Sequence, residues 1–388
     1  MKRRILTLIL ALLMVLSMTV ILPSCEKSGG DDNDTIVLNV YNWGEYMPLS
    51  EDEDGYDLNK EFEKWYEETY GQKIRVNYDM FSSNEELRAK LEANAVSYDV
   101  IIPSDYMIDY FVNNDMLLEI NFDNIPNYKN IGDDFKNLYY DPQNKYSVPY
   151  TYSTIGIIYN ANKVDPADVE AMGWEVMWSE KYREAGILQF NNSRDAFGMA
   201  MYNLGISVNT TDKSEWDRAY EKLVQQQDVI YGRVMDEIYN FMEVGETSIG
   251  AYYAGDYFTM LDNQVDGVDL RCYTPDNTNV FVDAMCIPNT CRNKQAAEAY
   301  INFILGVEAG TALADYLYYG TPNTAVRENP GYLSELTPEE KQQVMDVIYP
   351  SNFDFKASFN KNAYRDLNTL SPEIHAYMTE LWERLIIQ

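Results

Sequence analysis

The chain has 388 residues, 46% of them hydrophobic, with 62 acidic side chains against 30 basic ones. That apolar content excludes a disordered polymer, and the length exceeds what one hydrophobic core usually organises, so two lobes are expected. A formal charge of −32 excludes a general nucleic-acid binder, and a single histidine, His375, excludes His-rich metal centres and makes any Ser-His-Asp triad hang on that one residue.

Lys2, Arg3 and Arg4 precede an apolar run over 5–22, the pattern of a secretory signal or of an N-terminal membrane anchor of borderline length. Leu22-Pro23-Ser24-Cys25 resembles the lipobox of bacterial lipoproteins. The resemblance implies removal of residues 1–24 as a signal peptide and a diacylglycerol on the Cys25 sulfur. Two acyl chains attach a protein firmly where one short chain does not. Residues 25–35 (CEKSGGDDNDT) then read as a polar tether without periodicity. Of the remaining cysteines, Cys272, Cys286 and Cys291 match no zinc spacing. Cys272 and Cys286 fall in strand-like runs and are candidates for a disulfide, or else all three are small buried hydrophobes.

Residues 36–41 form a β-rich run, and Leu58, Phe62, Trp65 and Tyr66 recur at helical spacing over 57–70, closing at Gly71. An alternating strand follows at 74–81. Ser83 with Glu86 predicts a capping box for a helix carrying Leu87 and Leu91. Residues 98–103 read as a short buried strand. This alternation predicts an α/β sheet covered on both faces. A long β-prone stretch over 146–159 interrupts it. The alternation then resumes with strand 187–190, helices 196–204 and 214–226, strands 248–253 and 283–287, and helix 295–305. Two α/β units joined by an extended segment predict two lobes and a hinge.

Open α/β sheets bind ligands beyond the carboxyl ends of their strands. The residues there are Asn42-Trp43-Gly44-Glu45-Tyr46, Ser104-Asp105-Tyr106, Asn191-Asn192-Ser193-Arg194-Asp195 and Tyr253-Ala254-Gly255-Asp256, with Val280-Phe281-Val282-Asp283 at the start of another strand. Each mixes aromatics with carboxylates or amides. Aromatic faces attract cations and cover alkyl chains, while carboxylates pair with ammonium groups. A flexible, apolar-stemmed cation suits all of them, although in a chain with 33 tyrosines any one set also reads as an ordinary polar loop.

Several of these segments carry a family resemblance. Tyr41-Asn-Trp-Gly-Glu-Tyr-Met-Pro48 and Tyr98-Asp-Val-Ile-Ile-Pro-Ser-Asp-Tyr106 resemble the opening and second contact segments of the spermidine/putrescine-binding proteins, the PotD-like subunits of polyamine ABC importers. Val148-Pro-Tyr, Ile155-Gly-Ile-Ile-Tyr-Asn160, Leu204-Gly-Ile-Ser-Val-Asn-Thr-Thr-Asp212 and Thr321-Pro-Asn323 follow in the expected order. The resemblance implies the two-lobed, hinged α/β fold of type II periplasmic solute-binding proteins. Lobe 1 would span 36–152 plus about 283–323, and lobe 2 would span 153–282 plus about 324–388. It also implies a ligand set of Trp43, Glu45, Tyr46, Ser104, Tyr106, Asn192, Asp195, Tyr253, Phe281, Asp283 and Tyr319, with Tyr364 the best match for a C-terminal contact. Tyr253 and Phe281 stand where the family has tryptophans. Asn192 stands where it usually has a second aspartate, which favours a diamine over the three-amine spermidine.

The acidic stretch 49–59 is longer than the family's. Ser50-Glu-Asp-Glu-Asp-Gly55 with Glu61 approaches a calcium-loop pattern, but Ser holds the first position and no helix precedes it, so a solvated loop is expected. The implied function is capture of putrescine or spermidine by hinge closure and delivery to the permease subunits of an ABC importer. The receptor would be monomeric, free of cofactor, metal and nucleic acid, and lipid-anchored on the outer face of the bacterial membrane or in the periplasm. Another cationic amino-alkyl compound or a sugar is the nearest alternative. A secreted hydrolase using two carboxylates is the remote one; no enzyme activity is expected.

Overall fold

The computed structural model describes residues 35–50, 56–94, 96–349 and 353–387. The signal segment, the lipobox with Cys25, nearly all of the tether and the acidic core of the calcium-like loop lie outside them. From Ile36 onward the chain forms one compact unit.

Local sequence sets the element boundaries. Asp57 caps the helix Leu58–Tyr70 through the N–H groups of Asn59 and Lys60, and Gly71 ends it at φ 69°. Ser83 caps Asn84–Ala93 by accepting from the Glu86 N–H, but the expected box is only half formed. The Glu86 carboxylate bonds the N–H and hydroxyl of Ser82 instead, at 2.9 and 2.8 Å. Asn192 caps Ser193–Leu204, which ends at Gly205 with φ 66°. All but one of the predicted strands lie within a residue or two of the sequence expectation, but the buried run at 98–103 contributes only two residues to the sheet.

The strands are β1 (Ile36–Trp43), β2 (Ile74–Phe81), β3 (Val100–Ile101), β4 (Ser147–Asn160), β5 (Ile187–Phe190), β6 (Gly232–Val234), β7 (Ile249–Tyr253), β8 (Leu270–Tyr273) and β9 (Val280–Cys286). They run in the order β2-β1-β3-β9-β4-β7-β5-β6, with β8 also on β4. β4 joins the two halves. Its first eight residues pair with β9, and its last six pair with β7 and β8. β9 begins at Val280 rather than at 283, so Phe281 and Asp283 sit inside the strand rather than at its start.

The buried apolar side chains form two clusters that meet along β4. Leu38, Val100, Ile101, Tyr152, Val282 and Tyr300 belong to the first. Ile155, Ile187, Leu188, Phe197, Trp216 and Leu381 belong to the second. Residues 355–363 return to the first cluster, where Phe355 packs on Phe135 at 4.3 Å and Phe359 on Tyr139 at 5.6 Å.

The disulfide considered for Cys272 and Cys286 does not form, and both thiols are free, as is Cys291. Cys272 lies opposite Ile158 and Cys286 opposite Ser147. Those positions are separated by most of β4, roughly 36 Å at about 3.3 Å per residue, whereas a disulfide needs Cα atoms within about 7 Å.

Candidate functional site

The predicted ligand residues come from the carboxyl ends of β1, β3, β5 and β7 and from the interior of β9. After β1, Trp43 packs on Phe81 at 4.5 Å and leaves its buried Nε1 without a partner. Glu45 takes a left-handed φ of 49° and stays exposed, accepting a hydrogen bond from the Tyr316 hydroxyl at 3.0 Å. Tyr46 turns inward: its hydroxyl donates to Asp283 Oδ2 at 2.5 Å, and its carbonyl accepts from the Tyr150 hydroxyl at 2.6 Å. After β3, Ser104 forms a β-bridge with Asp283, and the Tyr106 hydroxyl bonds Asn84 at 3.0 Å and Glu85 at 3.2 Å.

From the other half, Asn192 holds Asp195 at both ends of its amide. Its Oδ1 accepts from the Asp195 N–H and its Nδ2 donates to Asp195 Oδ2, each at 2.8 Å. The Tyr253 hydroxyl donates to the same oxygen at 3.0 Å. Tyr364 lies near Asp195, but its buried hydroxyl makes no hydrogen bond of good geometry.

A continuous path of rings joins the two ends. Tyr253 meets Phe281 at 5.5 Å, Phe281 meets Tyr319 at 6.2 Å, and Tyr319 meets Tyr46 at 5.7 Å, all edge to face. Asp195 stands at one end of this path and Asp283 at the other. A third carboxylate stands beside it: the Tyr319 hydroxyl donates to Asp256 Oδ2 at 3.1 Å. Glu45 and Trp43 are not in the path, and Tyr106 borders it while packing against both apolar clusters.

The path is lined by carboxylates that form no ion pair with any described residue. Asp195 and Asp283 are only 7% and 3% exposed. Among the described residues, every ion pair lies elsewhere. Arg194 adjoins Asp195 and its charge helps to lower that carboxyl, but its guanidinium hydrogen-bonds the Val208 and Arg365 carbonyls and Asn209 rather than the carboxylate. Burial pushes the Asp283 carboxyl up to about 6, against a downward pull from Ser104 and the Tyr46 hydroxyl. Ser104 lies close enough to favour the charged form, but Asp283 Oδ1 has no partner of hydrogen-bond geometry. Burial likewise raises Asp256 to about 7, opposed by the Tyr319 and Tyr239 hydroxyls. Asp195 is raised by burial and held down mainly by Asn192 and Tyr253. The Tyr46, Tyr253 and Tyr319 phenols are driven well above their usual value by burial and remain donors.

The family model for bacterial extracellular solute-binding proteins matches residues 58–337 of this chain. The chain belongs to that family. A spermidine/putrescine-binding periplasmic protein of Escherichia coli strain K12 is 32% identical over 300 residues, covering 77% of this chain and 80% of its own length. Its counterpart in Salmonella typhimurium is 32% identical over 299 residues, covering 76% and 80%. The solved spermidine/putrescine substrate-binding protein PotD of Streptococcus pneumoniae is 29% identical with a TM-score of 0.72, covering 91% of this chain and 99% of that one.

Two acidic residues of this solute-binding protein escaped the sequence reading. Asp256 closes the strand-end segment Tyr253–Asp256, but nothing in the local sequence distinguishes it as a site residue. Its role depends on Tyr319, 63 positions away, reaching over Gly255, where a Cβ would lie 1.8 Å from the ring. Only the tertiary contact gives that signal. Asp105, likewise in a strand-end segment, is 1% exposed and accepts from the Val282 and Tyr106 N–H groups. It braces β9 against the start of the helix Asp105–Asn113 that follows β3 rather than lining the ring path. Among the described residues, no cluster of His, Cys, Asp and Glu is arranged to hold a metal ion, and no helix is long and apolar enough to cross a membrane.

Proposed function

We propose that this chain captures a polyamine, putrescine or spermidine, along the ring path and delivers it to the permease subunits of an ABC importer. The supporting observation is the buried, unpartnered Oδ1 of Asp283 at one end of an aromatic path whose other end is Asp195, with no ion pair to the protein at either carboxylate among the described residues. A buried carboxylate without a partner is costly, and an ammonium group supplies both the missing charge and the missing donors. The rings cover the methylene stem, and the phenols that now hold the carboxylates share them with the guest. Carboxylates at both ends favour an amine over a sugar, which aromatic walls alone would suit equally.

In this reading the two halves open and close about β4 and the β8–β9 connection. Asp195 and Tyr253 come from one half, and Tyr46, Ser104 and Tyr106 come from the other. A dication bound between them favours the closed form. The relatives' names carry the same substrate class and a periplasmic setting. The chain is a monomeric, non-catalytic receptor held to the outer face of the membrane by lipid on Cys25; Cys25→Ser should release it into the medium, and retention would refute the lipid anchor. The polyamine reading is tested by a thermal-shift panel of polyamines, amino acids and sugars on the body after residue 35. Only polyamines should raise the melting temperature, since a ligand that binds the native state alone stabilises it. No shift with any polyamine would refute the assignment.

A further inference from the structure

Ser153 is 3% exposed, and its hydroxyl has no hydrogen-bond partner. It lies on β4, which runs between β9 and β7. In register, Ser153 is opposite Phe281 on one side, and Ile155 is opposite Tyr253 on the other. Directly paired residues on neighbouring strands present their side chains on one face of the sheet. Tyr152 takes the opposite face, where it packs on Phe135 and Phe355. The Phe281 and Tyr253 side chains flank β4 from either side, and their rings meet at 5.5 Å. They therefore close over the strand, with Ser153 on the floor beneath them.

An alanine would fill that floor equally well. A buried hydroxyl that meets no protein group marks a hydrogen bond made to something else. The register places the two aromatic rings over it, so the partner is a donor that tolerates ring faces, and an ammonium N–H does both.

We infer that Ser153 is a ligand-contacting residue that accepts a hydrogen bond from an inner ammonium of the guest. The preferred substrate is then a linear triamine with a secondary nitrogen in its stem rather than a plain diamine. This rests on the polyamine reading above and adds a subsite to it. It works against Asn192, which removes an acidic partner at the Asp195 end; Ser153 supplies a neutral acceptor along the stem.

The matched probes are spermidine and 1,8-diaminooctane, which have the same length and differ by NH against CH2 at one inner position. Calorimetry on the wild-type body should give spermidine the tighter binding by tenfold or more, about what a hydrogen bond to a charged group carries. In Ser153→Ala the spermidine-to-diaminooctane affinity ratio should fall about tenfold. Ser153→Gly, which adds no bulk, should do the same and covers the case in which the alanine variant misfolds. Equal affinities in the wild type, or a ratio unchanged in both variants, would overturn the inference while leaving the polyamine reading intact. If the wild type binds neither amine, the polyamine reading fails and this inference with it.

Discussion

Polyamine affinity should depend steeply on pH, with a sign set by the raised carboxyls of the path, Asp195, Asp256 and Asp283. Asp283 titrates at about 6 and Asp256 at about 7. A primary alkylammonium stays charged to about pH 10, so across pH 5–8 only the protein changes its charge. At pH 8 both carboxyls are at least about nine-tenths ionised. At pH 5 about one-tenth of Asp283 and one-hundredth of Asp256 are ionised. A guest that needs the Asp283 charge alone should therefore bind about tenfold more weakly at pH 5 than at pH 8. One that needs both should bind about a thousandfold more weakly, and protons should be released on binding near pH 6.5. Titration calorimetry in two buffers of different ionisation heat measures the affinity and the proton count together. Asp283→Asn should weaken binding at pH 8 by about 2–5 kcal/mol and leave only the pH dependence carried by Asp256 and Asp195. Without ligand, the sign reverses. Because these folded-state values lie above those of the unfolded chain, stability should fall as pH climbs from about 4 to 7. An affinity that is flat from pH 5 to 8 would refute the assignment of these two carboxyls to the guest.

Other perturbations test separate joints. Gly255→Ala places a Cβ 1.8 Å from Tyr319 Cδ1, so the ring must move off Asp256; a lower melting temperature and about tenfold weaker polyamine binding are expected, and unchanged affinity would take Tyr319 out of the site. Asn192→Asp adds charge beside Asp195 and should raise the spermidine-to-putrescine affinity ratio in a competition assay; an unchanged ratio would count against a role for this position in amine recognition. Asp99 accepts from the Asn39, Arg292 and Asn293 N–H groups at 2.9 Å each, pinning β1 to the 291–293 turn. Asp99→Ala should cost about 3 kcal/mol in denaturant unfolding with ligand specificity unchanged. Reductant should not alter the melting temperature of the body after residue 35, and three thiols should react once it is unfolded.

Short-range features of this protein were legible in the sequence because their partners are near in the chain. Asp57 and Gly71 bound one helix, and each pairs with N–H or C=O groups within four residues, whereas the helix expected from 196 begins three residues earlier, where the Asn192 side chain caps it. The long extended run became the strand shared by both halves, and the aromatic and acidic residues at strand ends fell where open α/β sheets bind their guests. The half-formed Ser83–Glu86 box marks the limit of such reasoning, since Ser82 offered Glu86 two donors where the pattern offers one.

What the tertiary structure alone decided depends on register and on residues far apart in sequence. Local pattern could not say that Tyr46 reaches Asp283 across 237 positions, that Tyr319 recruits Asp256, or that Glu45 remains at the surface with Tyr316. Nor could it show that Cys272 and Cys286 face distant parts of β4, or that Ser153 lies under a ring pair. A strand specifies its own alternation of faces, but its neighbours are chosen by the packing of the whole sheet. That choice determines which carboxylates end up buried together without a cation of their own.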